Sequence, residues 1–286
     1  MSPFELLEPR SLSEAAGLLN DGDASARPVA GGTAVMLMIK MGVLRPARLV
    51  SLRSVEKRYS EIGAAPDGGL RVGAMATLSA LERSSLVKNR APVVTRTLRT
   101  LSNVRVRNVA TVGGHLAHAD PHTDLPPVLI ALGATVTTVS ARGGRTLPLE
   151  QLYAGYLETT LERGELIAEV AIPDQGRRRA AYLKCTTRSA DDWPALGVAV
   201  SLDVEGPAVR DSRIVISAAT NTPTRLAAAE SALRGMKVDD AILRRVGDAA
   251  ASAADVIADE HGSAVYKREL VRVYVGRAIR AALAGE

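Results

Sequence analysis

TVGGHLAHADPHTDLPPVLIALG, residues 111–133, places three of the chain's four histidines within eight positions, beside two aspartates and directly behind a double glycine. His115, His118 and His122 are spaced three and four apart, which on one helix would align three imidazoles for a metal, with Asp120 and Asp124 as further ligands. The sequence interrupts that helix: Asp120 precedes Pro121 and is pushed out of the α region, and Gly113 and Gly114 stand immediately before His115. A second parse runs strand, Gly-Gly turn, extended stretch, capped helix. In it Asp124 is the N-cap, Leu125, Pro126 and Pro127 form the first turn, Val128, Leu129 and Leu132 face the core, and Gly133 ends the helix. Backbone N–H groups at a glycine turn, with no Cβ in the way, let a diphosphate approach closely. Local reasoning favours this nucleotide turn and keeps the metal site as the alternative.

Upstream, AGGT (30–33) repeats the design: an apolar strand end, two glycines, a hydroxyl side chain, then a Met-rich helical segment over 33–40 whose N-terminus can face an anion. Two such turns suggest two loops closing on one elongated diphosphate ligand. Neither GxGxxG nor GxxxxGK[ST] occurs, which argues against the Rossmann and P-loop routes. Around these turns, 11–19 and 92–101 have helical spacing. RLVSL (48–52), LRVGAM (70–75), ATVTTVS (134–140) and ELIAEVAIP (165–173) read as strands, with PDGG (66–69) as a hairpin turn. The basic run RTLRTLSNVRVR (96–107) reads as a solvated helix face with a strand lead-in, or else as a docking surface for an acidic partner. DQGRRR (174–179) is the best boundary. Beyond it AAYLKC, ALGVAVSLDV and VRDSRIVISA read as three strands, followed by three helices. Runs of strands followed by runs of helices indicate an α+β chain.

Composition narrows the function. The chain has 286 residues, 47% hydrophobic, enough for one large core or two modest ones. Its single cysteine, Cys185, excludes an internal disulfide and a cysteine-built zinc or iron–sulfur site within the chain, so any such cluster belongs to a partner. The net charge of +5 is dispersed, without a basic stripe interleaved with aromatics, which makes nucleic acid a poor partner. No long apolar span or secretory leader is apparent, so the expectation is a soluble, cytoplasmic protein without a membrane span.

With these segments in hand, the sequence resembles the FAD-binding medium subunits of the xanthine dehydrogenase and carbon monoxide dehydrogenase family of molybdenum hydroxylases. AGGTAVMLMIK with LRPARLVSL, LRVGAMATLSALERSSLV, VRNVATVGGHLAHADPHTDLPPVLIALGA, GELIAEVAIP, AAYLKCTTRSADD and HGSAVYKRELVRVYVGRAI carry the likeness in order over almost the whole chain. The resemblance implies a PCMH-type, or vanillyl-alcohol-oxidase-like, FAD-binding domain over 1–175, with lobes of about 1–55 and 56–175. A smaller C-terminal domain of three strands plus helices would occupy 176–286. It implies FAD in this chain, a molybdopterin cofactor in a large partner, two [2Fe-2S] clusters in a small partner, and a dimer of heterotrimers. By the same resemblance Ala30, Gly31, Gly32, Thr33 and Ala34 line one pyrophosphate loop, and Thr111, Gly113, Gly114 and His115 the other. Asp124 reaches the ribose and adenosine part, Ile167 is an apolar contact, Lys184 a cation near the flavin ring, Arg188 and Asp191 a charged pair close to it, and Trp193 an aromatic flanking it.

Residue by residue the bland alternatives are an N-cap for Asp124, solvated cations for Lys184 and Arg188, a turn residue for Asp191, and an ordinary half-buried aromatic for Trp193. The chain departs from the family in two places. Ala34 replaces a polar residue, and His115 stands where Asn or Ser is common, so that a titratable imidazole near phosphates would make binding pH-sensitive. No substrate-directed catalytic residue is expected in this chain. It would take electrons from the [2Fe-2S] partner and pass them through the flavin to an external acceptor. The rival readings are a self-sufficient flavoprotein oxidoreductase of the same fold and an assembly subunit that has lost FAD.

Overall fold

A computed structural model describes residues 3–20 and 25–285. The chain opens with β1 (Glu5–Leu7), α1 (Leu12–Asn20), β2 (Arg27–Val29), α2 (Thr33–Lys40) and β3 (Arg48–Ser51), whose strands form a parallel sheet in the order β1-β3-β2. Leu12, Ala15, Ala16 and Leu19 recur at helical spacing and seat α1 on Val50, Leu52 and Val55, together with Leu166 and Ala168 from a second sheet.

That second sheet combines β4 (Ile62–Ala64), β5 (Leu70–Gly73), β6 (Thr135–Val139), β7 (Thr146–Pro148) and β10 (Leu166–Ile172), antiparallel in the order β4-β5-β10-β6-β7; β8 (Tyr153–Gly155) and β9 (Glu158–Thr159) make a small separate hairpin. Six helices lie between β5 and β6: α3 (Leu78–Arg83), α4 (Ser85–Arg90), α5 (Pro92–Thr100), α6 (Val104–Val109), α7 (Val112–Ala117) and α8 (Leu125–Ala131). Their apolar faces and the sheet build the largest core, with Leu78, Leu98, Leu116, Leu125, Leu129 and Val136 fully buried.

The C-terminal part has β11 (Arg179–Cys185), β12 (Leu196–Glu205), β13 (Ala208–Ser217) and β14 (Thr224–Arg225) in consecutive antiparallel order, then α9 (Ala227–Leu233), α10 (Asp240–Ala253) and α11 (Ala264–Ala284). Val198, Val200, Ile214 and Ile216 face the helices, while Ala199 and Val215 point the other way into the larger core beside α8. Burial on both faces is why this region reads as continuous apolar runs rather than as alternation. Asp239 and Ser263 cap α10 and α11 through Ile242 and Tyr266 amides. The α+β class holds.

Three local expectations change. The fourth strand, β14, is too short at two residues to show a period. The strand lead-in at 104–107 is helical: Asn103 accepts from the Val106 amide and starts α6. Arg107 is held by Glu82 (2.9 Å) and by the carbonyls of Leu101 and Ser102, while Arg96 donates to the Ala180 carbonyl, so two cations of the basic run are tied down internally. Finally, Gly113 and Gly114 form no turn. They sit in the first turn of α7, where Thr111 Oγ1 accepts from the Gly114 amide (3.2 Å).

Candidate functional site

The two glycine pairs meet. A Cβ on Gly31 would lie 2.0 Å from the Val109 carbonyl oxygen, so the first pair rests flush on the backbone leading into α7. A Cβ on Gly114 would lie 3.6 Å from the Ala30 Cβ, and one on Gly113 would lie 2.6 Å from the Ala74 Cβ. The Gly31 and Gly113 approaches leave no room for a Cβ, and together these contacts bring segments about 80 residues apart in the chain against each other. Gly32 adopts φ 78° and ends in α2, whose first-turn amides have no side-chain cap. Thr33 is exposed and Ala34 half-buried at that turn.

His115 lies on α7 beside this junction. Its Nε2 is buried without a hydrogen-bond partner, and burial pushes its pKa down to about 4, with the charge of His118 acting in the same direction. The ring is therefore neutral at physiological pH, which corrects the expectation that this position makes binding pH-sensitive near neutrality. A neutral, buried and unpartnered ring nitrogen and uncapped amides on α2 together fit a phosphate-containing ligand such as FAD. Among the described residues, no group of three or more His, Cys, Asp or Glu side chains is arranged to hold a metal ion.

Asp124 is not the side-chain cap of α8: its own backbone is helical and it makes no cap hydrogen bond. Both carboxylate oxygens turn instead to β11. Tyr182 donates to Oδ1 (2.6 Å) and the Lys184 ammonium to Oδ2 (2.9 Å). Lys184 also donates to the carbonyls of Thr100 (2.8 Å) and Asp192 (3.2 Å), so its three protons are all engaged and it is no solvated cation. Burial pushes the Asp124 carboxyl up from its ordinary value, against the opposing pull of Lys184 and Tyr182. Tyr182 is a partner that sequence reading missed, since a tyrosine in an apolar strand carries no distinguishing signal.

Ile167 is buried in the large core, next to the register shift in β10. Arg188 and Asp191 are both exposed, and they form no ion pair with each other among the described residues; Asp191 accepts instead from Ser189 Oγ (2.7 Å). Trp193 is 48% exposed, with its ring 5.6 Å from that of His122.

His122 itself is buried in a charged cluster that joins the two halves. Its Nδ1 faces Asp120 (3.1 Å) and its Nε2 faces Asp259 (2.9 Å). Lys267, fully buried, donates to Asp259 (2.5 Å) and to the Ala218 carbonyl (2.9 Å). Burial disfavours the imidazolium, but the hydrogen bonds and charges of both aspartates outweigh it and raise the His122 pKa above its ordinary value. Sequence reading gave His122 no partner, because Asp259 and Lys267 lie more than 130 residues away.

A family model described as the FAD binding domain in molybdopterin dehydrogenase matches residues 2–175, and one described as the CO dehydrogenase flavoprotein C-terminal domain matches residues 181–282. The chain belongs to this family, the FAD-binding medium subunits of molybdenum hydroxylases, and is an oxidoreductase subunit. It is similar to the medium chain of carbon monoxide dehydrogenase from Hydrogenophaga pseudoflava, whose solved structure it matches with a TM-score of 0.95 at 31% identity over 99% of both chains. It is 28% identical to the glyceraldehyde dehydrogenase medium chain of Sulfolobus acidocaldarius, covering 97% of each. It is also 30% identical to the 6-hydroxypseudooxynicotine dehydrogenase complex subunit alpha of Paenarthrobacter nicotinovorans, covering 98% of this chain and 94% of that one. Among the described residues, no helix is long and apolar enough to cross a membrane.

Proposed function

We propose that this chain is the electron-transfer subunit of a molybdenum hydroxylase. It takes electrons from a [2Fe-2S] partner and passes them through FAD to an external acceptor, within a dimer of heterotrimers that also holds a molybdopterin subunit. The observation that carries this reading is the junction of Gly31–Gly32 with Gly113–Gly114, flanked by uncapped α2 amides and the unpartnered His115 Nε2. FAD, when bound, supplies the ability to hold two electrons and exchange them singly.

The chain's own residues bind and orient. Ala30, Gly31, Gly32, Thr33 and Ala34 would offer backbone amides to one side of the diphosphate; on the other, the amides of Gly113, Gly114 and His115 are committed to Ala74 and Thr111, so the Thr111 hydroxyl and the His115 ring would be the donors beside the two glycines. Ile167 closes the apolar side of the cleft. Asp124 holds Lys184 and Tyr182 in place between the FAD-binding part, 1–175, and the C-terminal part, 176–286, and would be the acidic group toward the ribose and adenosine part of FAD. Lys184 orders the carbonyls of Thr100 and Asp192 and so sets the loop that carries Arg188, Asp191 and Trp193. Trp193, exposed beside His122, would cover the flavin ring by stacking. Because the Lys184 charge is balanced by Asp124, its influence on flavin reduction is exerted chiefly through loop position. The test is a visible spectrum of the purified chain before and after FAD addition, followed by anaerobic addition of the reduced iron–sulfur subunit. Bound flavin that bleaches only with that subunit is the expected result, whereas bleaching by an organic substrate without it would overturn the assignment.

A further inference from the structure

Where α5 meets the C-terminal part, the packing is incomplete. β11 is an edge strand with β12 as its one neighbour in the sheet, and its Ala180 carbonyl is taken by Arg96 of α5 at 3.0 Å. Val93, Arg96, Thr97 and Thr100, spaced three, four and seven along α5, turn one helical face towards this strand. Helix and strand do not close on each other. A cavity of about 330 Å³ remains between them, lined also by Leu183 of β11, Ala281 of α11, and Thr186 and Ala190 from the loop after β11. A space of this size at the boundary between two parts of a chain suits a small molecule.

Charge indicates which molecule. Two cations and no carboxylate line the cavity. Lys184 is already balanced, since its three protons go to Asp124 and to the carbonyls of Thr100 and Asp192. Arg96 is not. Its one hydrogen bond runs from Nη2 to a neutral carbonyl, so Nε and Nη1 stay free, and no acidic side chain pairs with it among the described residues. Burial, with Arg99 adding a like charge, pushes the Arg96 pKa below its ordinary value. Thr186 likewise forms no side-chain hydrogen bond among the described residues. A partly desolvated guanidinium with an open fork, beside apolar walls, lacks a counter-charge that carries an apolar body.

We propose that this cavity binds a small organic acid, whose carboxylate pairs with Arg96 and accepts from Thr186 while its apolar body lies against Val93, Leu183 and Ala281. The planar fork of arginine matches a carboxylate edge, and the apolar walls disfavour inorganic anions. No residue of the glycine junction lines the cavity, so the site stands apart from the diphosphate cradle and does not rest on the electron-transfer reading.

The test is calorimetric titration of the full-length chain, with and without saturating FAD, using benzoate and butyrate as probes and benzamide and inorganic phosphate as controls. Either carboxylate should bind at millimolar concentration or below in both states, with the controls about tenfold weaker or worse. Arg96→Gln should lower carboxylate affinity about tenfold or more. Ala190→Leu, which fills the cavity from an exposed position, should lower it too, with melting temperature and flavin content unchanged; this variant carries the test if Arg96→Gln unsettles the fold. The proposal is overturned if neither carboxylate binds, if benzamide or phosphate binds as well as they do, or if Ala190→Leu leaves their affinity unchanged. Displacement of benzoate by FAD also overturns it, because the cavity would then belong to the cofactor. So does loss of benzoate binding on assembly with the partner subunits, which would make the counter-charge a carboxylate from a partner.

Discussion

Gly31 and Gly17 show what a missing Cβ is for. Gly17 lies within α1 with nothing within 4 Å of its absent Cβ, so Gly17→Ala should stabilise the chain by about 0.5–1 kcal/mol in urea unfolding. Gly31→Ala places a methyl against the Val109 carbonyl and must part the two glycine segments; it should lower both melting temperature and FAD uptake in equilibrium dialysis. Lys184 belongs to the same scale. Lys184→Met leaves the buried Asp124 carboxylate without its cation and should cost about 3–5 kcal/mol. Adding Asp124→Asn should recover a large part of that loss, and a double-mutant cycle that comes out additive would show that the pair is not coupled. Trp193, the only tryptophan, provides an optical check: FAD addition should quench its emission, and an unaltered spectrum with flavin bound would place the ring elsewhere.

Between elements, the loop before α8 is clasped to the loop before α11 by His122 with Asp120 and Asp259. A neutral imidazole has one N–H, so only the imidazolium donates to both carboxylates. Asp120 on its own loop, and Asp259, His261 and Lys267 from the C-terminal part, are the charged and titratable groups around it, with His118 facing Asp120 from the end of α7. The His122 pKa is raised in the folded chain, so its contribution is fully present below the ordinary histidine value near 6.5 and is lost as pH rises through the folded value. Asp259 is lowered: burial opposes its charge, but Lys267 and His122 outweigh burial, so its contribution is present above the ordinary carboxylate range and fades as pH falls through its folded value. The stability difference between wild type and His122→Gln should therefore be largest in mildly acidic buffer and shrink towards pH 8. A pH-independent difference in melting temperature would remove the clasp.

At the scale of the molecule, the proposed FAD site would draw on segments 30–34 and 111–115, which meet at the glycine junction, and on 184–193, and on that reading ligand binding should stabilise all three parts together. Free FAD about a hundredfold above its Kd should add about 2.7 kcal/mol to folding, read as one cooperative shift of the calorimetric transition. A second transition that FAD leaves unmoved would show the C-terminal part melting independently of the site.

Much of this was legible in the linear chain. The helical spacing of Leu12, Ala15, Ala16 and Leu19, the PDGG hairpin, the end of α8 at Gly133 and the strands β12 and β13 with their apolar runs at 196–200 and 214–216 followed from periodicity and turn chemistry, because those are short-range preferences that the fold did not oppose. The glycine pairs announced a close backbone approach, and the lone cysteine placed any iron–sulfur chemistry outside the chain. What the glycines approach was decided in three dimensions: α7 is a helix with Gly113 packed on Ala74, not an open turn. Likewise Asp124 gave up its capping role because Tyr182 and Lys184, about sixty residues on, offered a buried carboxylate better partners than one helix end. Sequence fixes the local dihedral choices, whereas the desolvation of a charge and the identity of its partner depend on which distant strand is folded against it, and only the tertiary structure decides that.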